Sequence, residues 1–241
     1  MKKFWLRILI ISILTLTFGS LSAKSVVEIY MEGGAFMHII TALFVIMIIF
    51  AIIKYYQLAI REKLDAKSFY LKLKGYIRNK QYDESAKISA QFKTTTLGFI
   101  FWSGFLAFID AKKSGRTGTD LENALKNAFD EAGLQTIPKV EAGLFWLDVI
   151  AQVATFLGLL GTIFGLILAF DALAKAPEAL KQIKLTEGIS QAMGTTAYGL
   201  IVAIITMFIK GGLQARADRI INDIDEYSVK LINQITYSLK D

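Results

Sequence analysis

Residues 147–170 read LDVIAQVATFLGLLGTIFGLILAF, and from Val149 to Phe170 there is no Asp, Glu, Lys, Arg or His. At a rise of about 1.5 Å per residue such a run crosses a hydrocarbon core of about 30 Å, so it reads as a membrane-spanning helix. It is not uniformly apolar. Asp148, Gln152, Thr155 and Thr162 are spaced so that they fall on one helical face, with Gly158, Gly161 and Gly165 close by. A polar, small-residue stripe of this kind faces protein or water, not lipid tails.

Working outward, two more stretches are long and apolar enough to span: Ala35–Ile53 and Gly188–Ile209. The whole chain of 241 residues is 54% hydrophobic, with a mean hydropathy of +0.47, the profile of a membrane protein. It has no cysteine and one histidine, which removes disulfides, thiolate chemistry and a classical zinc site. The expected fold class is all-α integral membrane, with three transmembrane helices extended by a cytoplasmic helical domain.

Charge placement orders the segments. Lys2, Lys3 and Arg7 precede an apolar stretch, Ile8–Ala23, that ends in small residues, so residues 1–23 read as a signal peptide. Residues 24–56 then hold a periplasmic N-terminus and the first span. Residues 57–143 form a cytoplasmic helical domain, since from Lys54 to Gly143 there are fifteen Lys/Arg against ten Asp/Glu. The second span covers 144–170, a periplasmic connection 171–187, the third span 188–210 and a cytoplasmic C-terminal helix 211–241. The connection carries three lysines, which runs against this orientation.

Within the loop, Tyr70, Leu73, Ile77 and Ile88 recur at near-helical spacing, as do Leu121, Leu125, Ala128 and Leu134. Thr119 or Asp120 is the expected cap of the second pattern. Residues 98–109, GFIFWSGFLAFI, are too short to span and read as a buried or interfacial helix. Beyond Lys210, the residues Ile220, Ile224, Tyr227, Leu231 and Ile235 form one apolar stripe. That stripe fits packing on the loop helices or pairing with copies of itself.

The third span opens with GISQAMGTTAYGL, residues 188–200. Gln191, Thr195 and Tyr198 share a face, and Thr196 and Gly199 lie beside it. Two uses of these residues stay open on spacing alone: close helix packing through glycines and hydroxyls, or a polar conduit. Neither inner span carries an Asp, Glu, Lys, Arg or His between Val149 and Phe170 or between Gly188 and Ile209. If the stripe conducts protons, the carboxylate that binds them must come from a partner helix.

The pair GLLGTIFGLILAF (158–170) and GISQAMGTTAYGLIVAI (188–204) resembles the signature of the TolQ/ExbB/MotA proton-channel family, in its TolQ/ExbB branch. The resemblance takes in nearly all of the chain after residue 23. It implies a homo-oligomer, a pentamer in this family, around an ExbD/TolR-like single-span protein with a membrane aspartate, and a TonB/TolA-like periplasm-spanning protein beyond it. It implies an inner-membrane location and work driven by proton motive force. It places the family's path-lining threonines on Thr162 and Thr196, with Gln191, Thr195, Thr155, Gln152 and Tyr198 along the path and Gly158, Gly161, Gly165 and Gly199 at helix contacts. Where members of the family carry a glutamate this chain has Gln191, and where many have a proline it has Ile205.

A flagellar- or gliding-type stator subunit of the same superfamily and a non-conducting membrane scaffold are the alternative readings. No cofactor is expected. An enzyme is disfavoured: His38 is the only histidine, so no Ser/His/Asp set exists, and no GxxxxGK[ST] loop is present.

Overall fold

A computed structural model of the chain describes Tyr30 and residues 34–240, the last by its backbone alone. The expected signal peptide, residues 1–23, lies outside the described residues. All regular structure among these residues is helical. The helices are α1 (Ala35–Tyr56), α2 (Ala66–Arg78), α3 (Tyr82–Gln91), α4 (Thr96–Lys113), α5 (Gly118–Glu141), α6 (Leu144–Lys175) and α7 (Glu178–Lys240), with a π-helical turn, Gln57–Arg61, after α1. Three of the helical stretches are long and apolar enough to cross a membrane, and they contain α1, α6 and α7.

The connection expected at 171–187 is helical almost throughout. α6 runs on to Lys175 and α7 begins at Glu178, leaving only Ala176 and Pro177 between them. Pro177 accounts for this, because proline is disfavoured inside a helix but tolerated at its start. Each lysine of the connection has an acidic neighbour on its own helix: Lys175 with Asp171 (2.6 Å), Lys181 with Glu178 (2.7 Å) and Lys184 with Glu187 (2.8 Å). The third span and the C-terminal helix are likewise one helix, 63 residues long. Ile205, where a proline would have introduced a kink, is helical like its neighbours.

The chain divides into two compact units: the residues up to Ala42 with Ala154–Ile201, and Leu43–Val153 with Val202–Asp241. In the second unit, α2 to α5 close on an aromatic core. Phe101, Phe105 and Phe108 of α4 are fully buried, Phe69 stacks on Phe101 at 5.6 Å, and Phe129 meets Phe101 at 5.8 Å. Residues 98–109 are thus part of a buried helix. The stripe left open between two partners packs on the loop helices. Ile224, Leu231 and Ile235 belong to the same core, and the hydroxyls of Tyr82 and Ser238 meet at 2.9 Å.

Two local expectations are corrected. Leu134 is 78% exposed, and α5 instead buries Leu121, Leu125, Phe129 and Ala132. The spacing of Leu121 and Leu125 continues to Phe129 at four-residue steps, and Leu134 falls on the opposite side. The residue preceding α5 is Thr117, whose side chain makes no capping bond, so neither Thr119 nor Asp120 holds that position.

The start of α4 is capped from a distance. Glu62 accepts hydrogen bonds from the amide (2.8 Å) and hydroxyl (2.9 Å) of Thr96, placing a carboxylate at the positive end of the helix. Thr95 accepts from the amide of Gly98 at 3.2 Å. Between α5 and α6, Gly143 has φ +85°, and a side chain there would meet the stem of Lys54 at 2.8 Å. Only glycine combines that turn with that proximity.

Candidate functional site

The first unit brings the middle of α6 against the first half of α7 through glycine. A Cβ placed on Gly199 would lie 2.6 Å from the carbonyl oxygen of Ala154 and 3.0 Å from the Cα of Gly158. One placed on Gly158 would lie 3.3 Å from the Cα atoms of Gly199 and Thr196. Backbone meets backbone here, with nothing flexible to move aside, which is how small residues let membrane helices approach. Gly165 sits in the same way against Ala192, and Gly161 against the side chain of Thr195.

At this crossing lie the two threonines. Thr196 donates from Oγ1 to the carbonyl of Gly158 at 2.8 Å, a bond between helices. The hydroxyls of Thr162 and Thr196 also bond each other, and Thr162 Oγ1 reaches the carbonyls of Gly158 (3.3 Å) and Ala192 (3.4 Å). A hydroxyl has one proton and two acceptor lone pairs. With the Thr196 proton on Gly158 and the Thr162 proton on Thr196, Thr162 Oγ1 keeps its lone pairs for an outside donor. Both residues are half-buried, so the pair is within reach of a neighbour.

The residues expected on one path separate onto two faces of α7. Ala192, Thr196 and Gly199 meet α6, while Gln191 and Tyr198 meet the beginning of α1 and the residues before it. The Gln191 amide fills the space beside Gly34. Thr41 of α1 donates to the Tyr198 hydroxyl at 3.1 Å, and the Tyr198 ring meets Tyr30 edge-on at 6.1 Å. Thr195 is 2% exposed and donates to the Gln191 carbonyl of its own helix at 3.0 Å. Sequence spacing set these faces side by side but could not tell which of them meets α6, because both are polar and only the packed neighbour distinguishes them.

Thr155 is half-buried in the same unit. Gln152 and Asp148 belong to the second unit, where Gln152 is exposed and Asp148 pairs with Lys210 at 3.2 Å. Sequence reasoning passed over the Asp148–Lys210 pair because its partners lie on different spans. His38 accepts from or donates to the Tyr30 hydroxyl at 2.9 Å.

Long apolar helices, joined through a glycine crossing with paired hydroxyls, fit a multi-pass membrane protein. The sequence profile of the MotA/TolQ/ExbB proton channel family matches residues 103–226, just over half of the chain. The chain belongs to this family, which comprises channel and motor subunits and not classical enzymes. It is 31% identical over 140 residues to the Tol-Pal system protein TolQ of Haemophilus influenzae, covering 56% of this chain and 61% of that protein. It is 33% identical over 128 residues to a protein of Methanothermobacter thermautotrophicus named as a biopolymer transport protein ExbB homolog, covering 53% and 42%. It is 34% identical over 92 residues to biopolymer transport protein exbB1 of Vibrio cholerae, covering 38% and 40%. The matches therefore span less than two thirds of each relative's own length.

Proposed function

We propose that this chain is the channel-forming subunit of a TolQ/ExbB-type motor in the inner membrane, and that it couples proton motive force to transport or envelope work. The observation that carries the reading is the Thr162–Thr196 hydroxyl pair, set in two helices that hold no Asp, Glu, Lys, Arg or His through Val149–Phe170 and Gly188–Ile209. Such a pair can orient and hydrogen-bond a carboxyl but cannot itself take up and release a proton near neutral pH. The titrating group is the aspartate of an ExbD/TolR-like single-span helix, around which copies of this chain assemble as a homo-oligomer, a pentamer by resemblance. A TonB/TolA-like protein then receives the force.

In the protonated state the partner's carboxyl donates to the free lone pair of Thr162. In the ionised state it accepts, and the hydroxyl pair reverses. Each proton crossing about 100 mV releases about 2.3 kcal/mol, so several must be spent on a large mechanical step. Gln152 and Thr155 extend the path along α6, while Gln191, Thr195 and Tyr198 hold the packing between α7 and its neighbours. The exposed amide of Gln152 supports an oligomer, since an amide left against lipid tails is unfavourable. In this reading residues 57–143 and 211–241 lie in the cytoplasm and the α6–α7 joint in the periplasm.

The test is native mass spectrometry of the chain purified alone and with a co-expressed single-span protein bearing a mid-membrane aspartate. Several copies of this chain with a smaller number of the partner are expected. A monomer or dimer that ignores every such partner would return the threonines to helix packing, the scaffold reading.

A further inference from the structure

A cavity of about 400 Å³ opens in the second unit, where the end of α1 and its π-helical turn meet the α3–α4 turn and the last turns of α5. Four cationic side chains line it: Lys54, Arg61, Lys93 and Lys139. Among the described residues none of the four is in an ion pair. The one carboxylate in the lining, Glu62, has both oxygens engaged by Thr96. The wall therefore carries an excess of three positive charges.

Lys54 sharpens the point. It is only 7% exposed, its stem lies against Gly143, and no hydrogen bond or carboxylate is given to it by any described residue. A buried ammonium with no counterion is costly, and a fold keeps one where something else supplies the charge. The hydroxyl of Thr94 and the amide of Gln57 add neutral donors to the same wall. Point charges combined with an Arg fork and hydroxyls suit a phosphate, which offers several acceptor oxygens at once.

We propose that this cavity binds a phosphate group carried by a small anionic headgroup or by a free phosphate ion. The position favours a lipid as the carrier. Lys54 directly follows the apolar run that ends at Ile53, and exposed Tyr55 and Tyr56 on α1 and Trp146 on α6 are the side chains found at the headgroup level of a bilayer. The Tyr55 ring also lies 5.0 Å from the Arg216 guanidinium.

The experiment uses the full chain, purified in an uncharged detergent and stripped of lipid, and titrated with dihexanoyl phosphatidylglycerol, dihexanoylglycerol and inorganic phosphate by calorimetry. Saturable binding of phosphatidylglycerol, one per chain, is expected, with none for dihexanoylglycerol. Lys93→Gln and Lys139→Gln together should weaken it at least tenfold while the melting temperature of the stripped protein stays unchanged, because both side chains are exposed. Lys54→Met should weaken it as well, and if that variant does not fold, the double variant alone decides. Inorganic phosphate binding as tightly as the lipid would support the site with a soluble source, and much weaker binding would support the lipid source. No saturation, equal binding of dihexanoylglycerol, or full affinity in the double variant would overturn the proposal.

Discussion

Thr196 hands its hydroxyl proton to the carbonyl of Gly158 on the facing helix, across 2.8 Å. That bond exists because Gly158 and Gly199 have no side chains to hold α6 and α7 apart, so the crossing and the threonine site are one construction.

Gly199→Ala should therefore separate the helices. Its added methyl would meet the backbone of Ala154 and Gly158, and overpacking of this kind costs about 1–3 kcal/mol. Unfolding of the purified chain in detergent is expected to shift accordingly, and an unchanged midpoint would contradict the tight crossing.

Thr162→Val and Thr196→Val keep the shape but remove the hydroxyls. A hydrogen bond between membrane helices is worth on average about 0.6 kcal/mol, so both variants should assemble. With the aspartate-bearing partner present, proton entry into dye-loaded vesicles should fall to background, and Thr196→Ser should retain part of it. Wild-type flux in both valine variants would remove the pair from the path.

Tyr198→Phe separates the second face of α7 from the first. It deletes the bond from Thr41 while leaving the ring, so flux should persist with a stability loss below about 1 kcal/mol. Gln191→Glu should assemble, because the amide sits beside a glycine and a carboxyl of the same size fits that space. Loss of flux in Tyr198→Phe would place that hydroxyl on the path.

Two glycines of the second unit should respond with opposite signs. Gly75 of α2 has open space around it, so Gly75→Ala should stabilise by about 0.5–1 kcal/mol. Gly104 of α4 is covered by the Phe129 ring, so Gly104→Ala should destabilise by about 1–3 kcal/mol. Chemical denaturation of the two variants side by side checks both signs.

Asp223 gives a pH test. Burial, reinforced by the neighbouring Glu226, raises its carboxyl above the ordinary value, with Arg219 opposing. A carboxyl raised on folding favours the folded state below its unfolded value, and that contribution is lost as pH rises through the folded one. Asp223→Asn should then raise the melting temperature near pH 7, with the gain vanishing toward about pH 4. A gain that grows on acidification would reverse the assignment.

Much of this arrangement was legible in the residues. The absence of charge from Val149 to Phe170 marks a helix apolar enough to span, and the recurrence of Ile220, Ile224, Tyr227, Leu231 and Ile235 every three or four residues marks one apolar stripe. What spacing could not supply was the neighbour. Whether that stripe meets its own chain, and which of two adjacent polar faces on α7 meets α6, depends on contacts between residues far apart in sequence. The Glu62–Thr96 cap was invisible for the same reason. That the 171–187 connection is helical was not read from the residues either, although lysines three or four residues from an acid support an exposed helix.

The joint of Ala176 and Pro177 has a consequence for biogenesis. Two residues cannot let α6 enter a bilayer and leave α7 to follow at leisure, since their ends stay within a few ångströms of one another. On the proposed topology the pair inserts as a helical hairpin, carrying its lysines and acids with it. A chain stopped after Lys175 would present Gly158, Gly161 and Gly165 to lipid with no helix to receive them, and quality-control proteases should remove it.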